Sequence, residues 1–451
     1  MIFALRAPLK KNIFLGGAPM DLHQETFQIF AQWITFLWQA LPPKLQPTLL
    51  ELLFGAMISR KGHITSAIMC IRRKLHWNSY FKAIERGRFS WLALARQWLR
   101  LLIQLFQLKE LILTLDDFIT VRASKKAPSV GLHHDHAQRA NRPHFLWGQL
   151  RLSLGIICKK DSRVACFPLL LRLMRTTGNT NKLTAATFLM NLLHKHIPVN
   201  MAVKVLIDAW FMRAPLVLEL IRQGAVAIGQ ARKDTALYLQ PVIPQKKTRG
   251  RPPKYGQKLS QAHILQQYPQ HEMKLQAYGR LRTFQFHCLT AQVRFLKGHL
   301  CKIVWSRFLD DHDHWTNWHL LICTDKNLSA ENIITTYALR WWTEPMFNEL
   351  KNLFGLINAW QQTRQVLARW TMLLSLAYSL PRLLSLWLGS VKGEKLFSIP
   401  WRAKRPVTAG WIADAITHYF YGFPIRCLWN RNARKLTVPK QRFYDQLDQT
   451  G

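Results

Sequence analysis

The segment YALRWWTEPMFNELK, residues 337–351, carries the most informative polar pattern in the sequence. Its polar side chains fall at offsets of 0, 3, 7 and 14 residues and are Tyr337, Arg340, Glu344 and Lys351. Because residues at these spacings share one face of an α-helix, the pattern predicts a helix that presents a carboxylate, two cations and a phenol. Arginine and lysine side chains can hold the phosphate oxygens of a phosphodiester. The proline after the glutamate should kink this helix, so the shared face is approximate beyond it.

Two other acidic positions follow short apolar stretches that we predict to be β-strands. LILTL, residues 111–115, precedes Asp116 and Asp117. VKVLI, residues 203–207, precedes Asp208. Open α/β sheets bind their ligands at the carboxyl ends of strands. Two strand-end carboxylates and one helix carboxylate could therefore converge on the two Mg²⁺ ions, about 3.5–4 Å apart, that phosphodiester chemistry uses.

The charge of the chain indicates a polyanionic partner. The 451 residues include 63 lysines and arginines against 24 acids, a formal net charge of +39. Such a charge repels the compact chain from itself unless a polyanion neutralises it, so nucleic acid is the first partner to expect. A hydrophobic content of 49% excludes general disorder.

The seven cysteines are odd in number and form no C-x-x-C pair, which argues against a disulfide framework and indicates a reducing cytosol.

Apolar spacing divides the chain into a helical first part and an α/β middle. Residues 20–108 show helical spacing broken by turn signals, which predicts four or five helices. Within them, SRKGHITSAIMCIRRK, residues 59–74, is interpreted either as a DNA-binding helix-turn-helix-like element or as an ordinary solvated helical face. From residue 111 onward, short apolar runs predict strands, separated by helices around residues 167–175 and 183–194.

The later part of the chain returns from strands to helices. Three strands are predicted to form an antiparallel insert, at residues 280–296, 300–309 and 315–323. Ser329 is a credible N-cap for the next helix, with Glu331 in its first turn. The apolar run at residues 370–380 is shorter than the roughly 20 residues that span a bilayer, and it predicts a buried core helix.

The helix pattern also carries a family resemblance. The spacing Y-x2-R-x3-E-x6-K of residues 337–351 resembles the signature of the DDE insertion-sequence transposases with the YREK motif, and all four residue types stand at the right intervals. The preceding LLICTDKNLS, the tryptophan directly after Arg340, and Phe347 after the glutamate resemble the family as well. The resemblance covers roughly residues 110–360.

Both aspartate segments of that family have counterparts in this sequence. LTLDDFITVRASKK resembles the first-aspartate segment, in which the catalytic aspartate usually precedes a threonine. Phe118 occupies the following position here. Asp117 is the favoured first ligand, and Asp116 is the alternative. VLIDAWFMRAPLV resembles the second-aspartate segment, with Asp208 in place.

The resemblance implies a ribonuclease H-like α/β core interrupted by a mainly β insertion. The 136 residues from Asp208 to Glu344 leave room for such an insertion. Three domains are predicted on this basis: a helical N-terminal DNA-binding domain at 1–108, a DDE catalytic domain at 109–366 with the insertion at about 230–325, and a helical basic C-terminal region at 367–451.

The resemblance also implies an activity and its partners. A member of the family binds the inverted repeats at its element's ends and performs metal-dependent DNA strand cleavage and strand transfer, which is cut-and-paste transposition. Asp117, Asp208 and Glu344 would hold two Mg²⁺ ions, for which Mn²⁺ could substitute. The phenol and cations of the helix pattern would fix the DNA backbone. The expected partners are double-stranded element-end and target DNA and a second copy of the chain in a synaptic complex. No membrane is expected, and the expected location is the bacterial cytoplasm, at the nucleoid.

Several alternatives stay open at the level of sequence. A catalytically inactive or domesticated DNA-binding derivative, or a basic RNA-binding scaffold, would also explain the charge. Two clusters could ligate metal or form polar loops, namely His133-His134-Asp135-His136 and Asp310-Asp311-His312-Asp313-His314. Asp325 is a rival to Asp208, although an N-terminal helix turn is the competing interpretation. Three tryptophans of the insert either pack in the core or stack an unpaired base, and these are Trp305, Trp315 and Trp318.

A basic Gly/Pro-rich run, QKKTRGRPPKYGQK, separates the middle of the chain from the insert strands. Arg249 and Arg251 lie in an RGRP core that resembles a minor-groove AT-hook, and Lys254 follows it. A plain solvated basic loop is the competing interpretation.

Deletion of residues 246–254 should make DNA binding less sensitive to salt. Each lysine or arginine that contacts a phosphate displaces about one counterion from the DNA. Loss of these contacts would release fewer counterions on binding, so the slope of log affinity against log salt concentration should become shallower. Binding titrations over a salt series measure this slope, and an unchanged slope would exclude the loop from the DNA interface.

Overall fold

The computed structural model describes residues 22–134, 143–175, 181–242, 253–361, 363–396 and 406–437. Contacts divide the chain into two compact units. The helical unit consists of Met1–Leu108, Cys158–Ala165 and Asn348–Gly451, and the sheet unit of Lys109–Ile157 and Cys166–Phe347. This division groups residues 1–108 with residues 348–451 in one unit, and the sheet unit ends at residue 347.

The described residues contain α-helices in both units. In chain order they are α1 (Leu22–Trp38), α2 (Gln46–Ser59), α3 (Ile64–Met69), α4 (Trp77–Arg86), α5 (Trp91–Phe106), α6 (Lys182–His194), α7 (Ala214–Arg222), α8 (Gln261–Gln267), α9 (Ala330–Ala338), α10 (Thr343–Asn348), α11 (Arg364–Leu396) and α12 (Ala409–Phe420). The five helices from α1 to α5 fall within the predicted helical first part.

The strands lie mostly in the sheet unit. In chain order they are β1 (Glu110–Val121), β2 (Val130–His134), β3 (Phe145–Lys160), β4 (Arg163–Leu173), β5 (Ala202–Ile207), β6 (Val226–Ala231), β7 (Leu237–Tyr238), β8 (Lys258–Leu259), β9 (His271–Ala277), β10 (Arg280–Val293), β11 (His299–Phe308), β12 (His319–Cys323), β13 (Trp429–Asn430) and β14 (Lys435–Leu436). The three predicted insert strands correspond to β10, β11 and β12. The predicted α/β class is therefore confirmed.

Buried apolar helices form the core of the helical unit. Helix α2 is buried along nearly its whole length, which is typical of a helix that is apolar on every side. Helix α11 contains the predicted core segment at residues 370–380, and the indole of Trp370 is buried there and donates to the Gly62 carbonyl at 2.7 Å. Among the described residues, Arg364–Gly389 is long and apolar enough to cross a membrane, but 78% of its most apolar window is buried within the protein.

A single large mixed sheet organises the sheet unit. Its strand order is β2-β3-β1-β5-β6-β12-β11-β10-β7-β8, with β4 paired to β3 and β9 paired to β10. Strands β1, β5 and β6 are parallel to one another, whereas β3 is antiparallel to β1 and β12 is antiparallel to β6. The carboxyl ends of three parallel strands therefore meet at one edge in the middle of the sheet.

One predicted helix is a strand. Residues around 167–175 belong to β4, Arg163–Leu173, and the residues from Ala165 to Leu171 are all buried. A strand buried on both faces gives a continuous apolar run, which periodicity cannot distinguish from a buried helix. The prediction of a helix here was wrong for that reason. The helix predicted around 183–194 is confirmed as α6.

Replacement of Gly55 by alanine should destabilise the helical unit. A Cβ atom at this position would overlap the backbone carbonyl of Ala67 where α2 packs against α3. Alanine favours an exposed helix by about 1 kcal/mol over glycine, but overpacking of a rigid backbone contact costs about 1–3 kcal/mol. Urea unfolding of Gly55→Ala should show a lower midpoint than the wild type. A midpoint equal to or above the wild-type value would contradict this packing.

Candidate active site

Asp116 and Asp208 lie side by side where two parallel strands meet the edge of the sheet. In the pairing of β1 with β5, Leu115 lies opposite Ile207, and the two aspartates come one residue later. Alternate residues of a strand share a face. Asp208 therefore shares the face of Leu206, which packs in a core cluster with Ile333 and Tyr337 of α9. By the same alternation, Asp116 faces α9.

A tight turn orients the carboxylate of Asp208. Its Oδ1 atom accepts the backbone N–H groups of Trp210 and Phe211, each at 3.0 Å. Aspartate side chains that bond to their own backbone two residues onward stabilise such turns. Only one of the two oxygens is used in this way in the described contacts, so the other remains for a further partner.

The side chain of Asp116 is only 17% exposed and is bonded to an arginine of the predicted helix pattern. Its Oδ2 atom accepts from Nη1 of Arg340 at 2.9 Å and from the Thr343 hydroxyl at 3.4 Å. Burial raises the pKa of Asp116 to about 6, and the negative charge of Asp208 adds to the rise, while Arg340 opposes it. One guanidinium therefore compensates only part of the negative charge that the fold gathers here.

Asp117 points to the opposite face of the sheet. Its carboxylate binds Nζ of Lys182 at 3.0 Å. Neighbouring residues of a strand face opposite sides, so Asp116 and Asp117 cannot both reach Arg340 and Asp208. The structure thus brings Asp116 together with Asp208 and Arg340. Of the two candidates for the first acid, Asp116 is therefore the one that bonds to Arg340, whereas Asp117 bonds to Lys182.

The predicted helix is a run of short helical pieces. Helix α9 continues into a 3-10 turn, Leu339–Trp342, then α10, and then a π-helical turn, Glu349–Leu353. Pro345 lies inside α10 and cannot donate to the carbonyl of Trp341, in agreement with the predicted irregularity.

Three members of the helix pattern are neighbours. The guanidinium of Arg340 lies 5.9 Å from the ring centroid of Tyr337, and burial raises the pKa of that phenol to about 12. The Glu344 side chain is 59% exposed, and its Oε1 atom is 4.0 Å from Nη2 of Arg340. The same guanidinium thus faces both Asp116 and Glu344.

The remaining predicted DNA-binding residues lie elsewhere or outside the described part of the chain. Lys351 is in the π-helical turn and belongs to the helical unit. Arg249 and Arg251 lie outside the described residues. Lys254 is exposed, with Nζ 5.5 Å from the ring centroid of Tyr255.

The residues present fit a divalent cation in part. The described residues contain no group of three His, Cys, Asp or Glu side chains arranged to hold a metal ion. Asp116 and Asp208 nevertheless supply hard oxygen donors from adjacent strand ends, and oxygen is the donor that Mg²⁺ prefers. The pKa of Asp116 is raised chiefly by its burial, and the negative charge of Asp208 adds to the rise, so a bound cation would favour the ionised form. Glu344 is the exposed third donor, and Arg340 lies between it and Asp116.

The competing metal clusters are not assembled in the described residues. His133 and His134 are consecutive in β2, and the His134 ring contacts Phe145 instead; Asp135 and His136 lie outside the described residues. Asp310 accepts the backbone N–H groups of His312 and His314 and forms a turn.

The other rivals of the site also have structural roles. Asp325 accepts from the Asn327 backbone in the turn before α9. That helix begins at the Ser329 N-cap as predicted, because the Ser329 hydroxyl accepts from the Asn332 backbone. Trp305 is only 1% exposed and so belongs to the core. Trp315 and Trp318 both contact the guanidinium of Arg307.

Comparison with known proteins identifies the family. Residues 156–380, about half of the chain, match the family model of the transposase DDE domain. The chain belongs to the DDE transposases. The matched range contains Asp208 and Glu344 and begins after Asp116.

Similarity to individual proteins is weak. No curated protein matches the chain. The solved synaptic complex of piggyBac transposase with hairpin DNA matches over 90% of this chain and 75% of that chain, at 11% identity and a TM-score of 0.34. A likeness of this size supports no inference about the site.

The free energy of unfolding should depend on pH through Asp116. Its pKa rises from an ordinary 3.8 to about 6 on folding, so the folded state holds more protons between these values. Stability contributed by the protonated form is therefore lost as pH rises from about 4 to about 6, by up to about 3 kcal/mol. Urea unfolding in EDTA should show this loss in the wild type and not in Asp116→Asn. If the free energy of unfolding changed with pH in the same way in both proteins, the burial of this carboxylate would be contradicted.

Proposed function

We propose that the protein is a DNA transposase that binds the inverted repeats at its element's ends and performs Mg²⁺-dependent strand cleavage and strand transfer. The observation that carries this proposal is the pairing of Asp116 and Asp208 at adjacent parallel strand ends, facing Arg340 and Glu344. Membership of the DDE transposases gives the reaction class. The net charge of +39 suits a polyanionic substrate.

Asp116, Asp208 and Glu344 are proposed to hold two Mg²⁺ ions, with Mn²⁺ as a substitute. When bound, these ions would activate the nucleophile, first water and later the 3′-hydroxyl of the cut strand, and stabilise the leaving oxygen. Asp208 is the best oriented of the three ligands because two backbone N–H groups hold its Oδ1 atom. Glu344 is exposed and therefore able to adjust its side chain when the substrate arrives.

Arg340 is proposed to hold the scissile phosphate. Its guanidinium now lies between two carboxylates, where it partly neutralises them. The planar fork of Arg340 could bind phosphate oxygens in a bidentate manner if bound cations neutralised those carboxylates. The buried phenol of Tyr337 packs beside the guanidinium and limits its movement. Lys351 is proposed to contact the DNA backbone further along.

The sheet supports a ribonuclease H-like core as the scaffold of this reaction. Its central strands run in the order β4-β3-β1-β5-β6, with β3 antiparallel to the parallel strands β1, β5 and β6. The antiparallel strands β9 to β12 come between the strand-end aspartates and the helix that carries Glu344, as an insertion would. We further propose double-stranded DNA and a second copy of the chain as partners, in the bacterial cytoplasm at the nucleoid.

Asp116→Asn, Asp208→Asn and Glu344→Gln should each abolish Mg²⁺-dependent nicking of a DNA duplex that carries the native element ends. Each change removes a charged oxygen ligand while preserving the shape of the side chain, and loss of one ligand typically costs several orders of magnitude in rate. Asp117→Asn is the matched control, because its carboxylate faces Lys182 on the other side of the sheet. This control should keep most of the nicking activity, and all four variants should still bind the ends.

The same assay separates the competing functions. A wild-type chain that binds element ends but never nicks them, in Mg²⁺ or Mn²⁺, would indicate an inactive or domesticated derivative. Equal loss of binding and nicking in the three variants would indicate that the carboxylates are structural. If Asp117→Asn abolished nicking and Asp116→Asn retained it, the assignment of Asp116 as the first ligand would be overturned.

A further inference from the structure

The polar side chains at the strand ends continue beyond Asp208 to the next strand of the sheet. In the parallel pairing of β5 with β6, Ile207 lies opposite Gly229, and Asp208 and Gln230 come one residue later. Neighbouring strands are about 4.8 Å apart. Gln230 lines a cavity together with Tyr337 of α9, so its side chain is on the face of the sheet that α9 covers. This is the face of Asp208, and an amide therefore follows the carboxylate in register.

The cavity along this face is small and polar. Its volume is about 80 Å³, and its lining includes Gln230, His319, Ser306, Tyr278 and Tyr337. Because one ordered water needs about 10–15 Å³ of such space and several polar partners, the cavity has room for a few water molecules. It has no room for a nucleotide base. The strand-end carboxylates thus have a hydrated neighbour on the side of β6.

A hydrogen bond holds the amide of Gln230. Its Nε2 atom lies 3.2 Å from Nδ1 of His319 on β12. A neutral imidazole with its proton on Nε2 accepts an amide N–H at Nδ1. With the amide nitrogen engaged in this way, the contacts of the described residues give Oε1 of Gln230 no hydrogen-bond donor. A carbonyl oxygen is therefore available beside Asp208.

The available oxygens of this edge suit a cation better than an anion. Oδ1 of Asp208 accepts two backbone N–H groups, whereas Oδ2 has no donor among the described contacts. Asp208 and Gln230 thus each offer one oxygen, the first charged and the second neutral. Carboxylate and side-chain amide oxygens are both ligands of hard divalent cations. A neutral donor also adds no further negative charge beside the largely buried Asp116.

We propose that Gln230 supplies an oxygen donor to the cation site of Asp116 and Asp208, and that His319 is a positioning residue that holds its amide. The proposal rests on the proposed function, because it adds a residue to that cation site. The small cavity beside Gln230 would hold water molecules of the cation's hydration shell, several of which Mg²⁺ usually keeps in proteins.

Mn²⁺ binding to the full-length chain without DNA tests the role of Gln230, with the free ion measured by electron paramagnetic resonance. Gln230→Met keeps the length of the side chain and removes its oxygen, and it should bind Mn²⁺ about ten-fold more weakly than the wild type. Gln230→Glu replaces the neutral oxygen by a carboxylate and should bind Mn²⁺ more tightly than the wild type, since affinity rises with ligand charge. A purely structural role of Gln230 would not produce tighter binding.

A matched control lies in the same cavity. Ser306→Ala removes a polar group from β11, two strands away from β6, and should leave Mn²⁺ affinity unchanged. Wild-type affinity in Gln230→Met would overturn the proposal, and so would equal weakening in Gln230→Met and Ser306→Ala. If circular dichroism shows that Gln230→Met is unfolded, Gln230→Glu decides, and an affinity no higher than that of the wild type would overturn the proposal.

A double-mutant cycle tests whether His319 acts through Gln230. His319→Phe frees the amide and should bind Mn²⁺ more weakly than the wild type but more tightly than Gln230→Met. Combining both changes should weaken binding no further than Gln230→Met alone, because the oxygen that His319 holds is already absent. Additive effects of the two changes would contradict the positioning role.

Failure of this proposal is distinct from failure of the proposed function. A chain that nicks element ends and loses Mn²⁺ binding in Asp208→Asn, but keeps it in Gln230→Met, would support the proposed function and contradict the role of Gln230. A chain that shows both Gln230 effects and never nicks DNA would support the role of Gln230 and contradict the proposed activity. Absence of Mn²⁺ binding in the wild type would contradict the role of Gln230, while the nicking assay would still decide the activity.

Discussion

The placement of two acidic side chains at adjacent strand ends is the constraint on which the candidate site depends. Asp116 and Asp208 face the same side of the sheet because the parallel pairing of β1 with β5 fixes their register. Burial of such a pair is unfavourable unless a cation compensates it. Arg340 supplies part of that compensation through a bond of 2.9 Å to Asp116. The remaining negative charge is what makes this edge of the sheet suited to divalent cations.

The surrounding elements hold these groups by ordinary packing and hydrogen bonding. Helix α9 is buried against the sheet through Ile333 and Ile334, and this contact carries Arg340 to the strand ends. The rings of Phe118 and Phe347 pack with centroids 4.5 Å apart, which joins β1 to the end of α10. Chemistry thus resides in a few polar groups, while large apolar contacts determine where those groups lie.

Much of the fold and part of the site could be predicted from the sequence. Strand runs, the insert strands and the Ser329 cap depend on local patterns, and each was confirmed. The choice between Asp116 and Asp117 depends on which face of β1 meets α9, and a strand buried on both faces shows no alternation that would reveal it. The same double burial made β4 resemble a helix.

Binding of Mn²⁺ measured by electron paramagnetic resonance tests the central claim most directly, because it reports the cation site without requiring DNA or cleavage. The account predicts that the wild type and Asp117→Asn bind Mn²⁺ with similar affinity and that Asp116→Asn and Asp208→Asn lose most of this binding. Equal Mn²⁺ affinity in all four proteins, or loss of binding confined to Asp117→Asn, would contradict it.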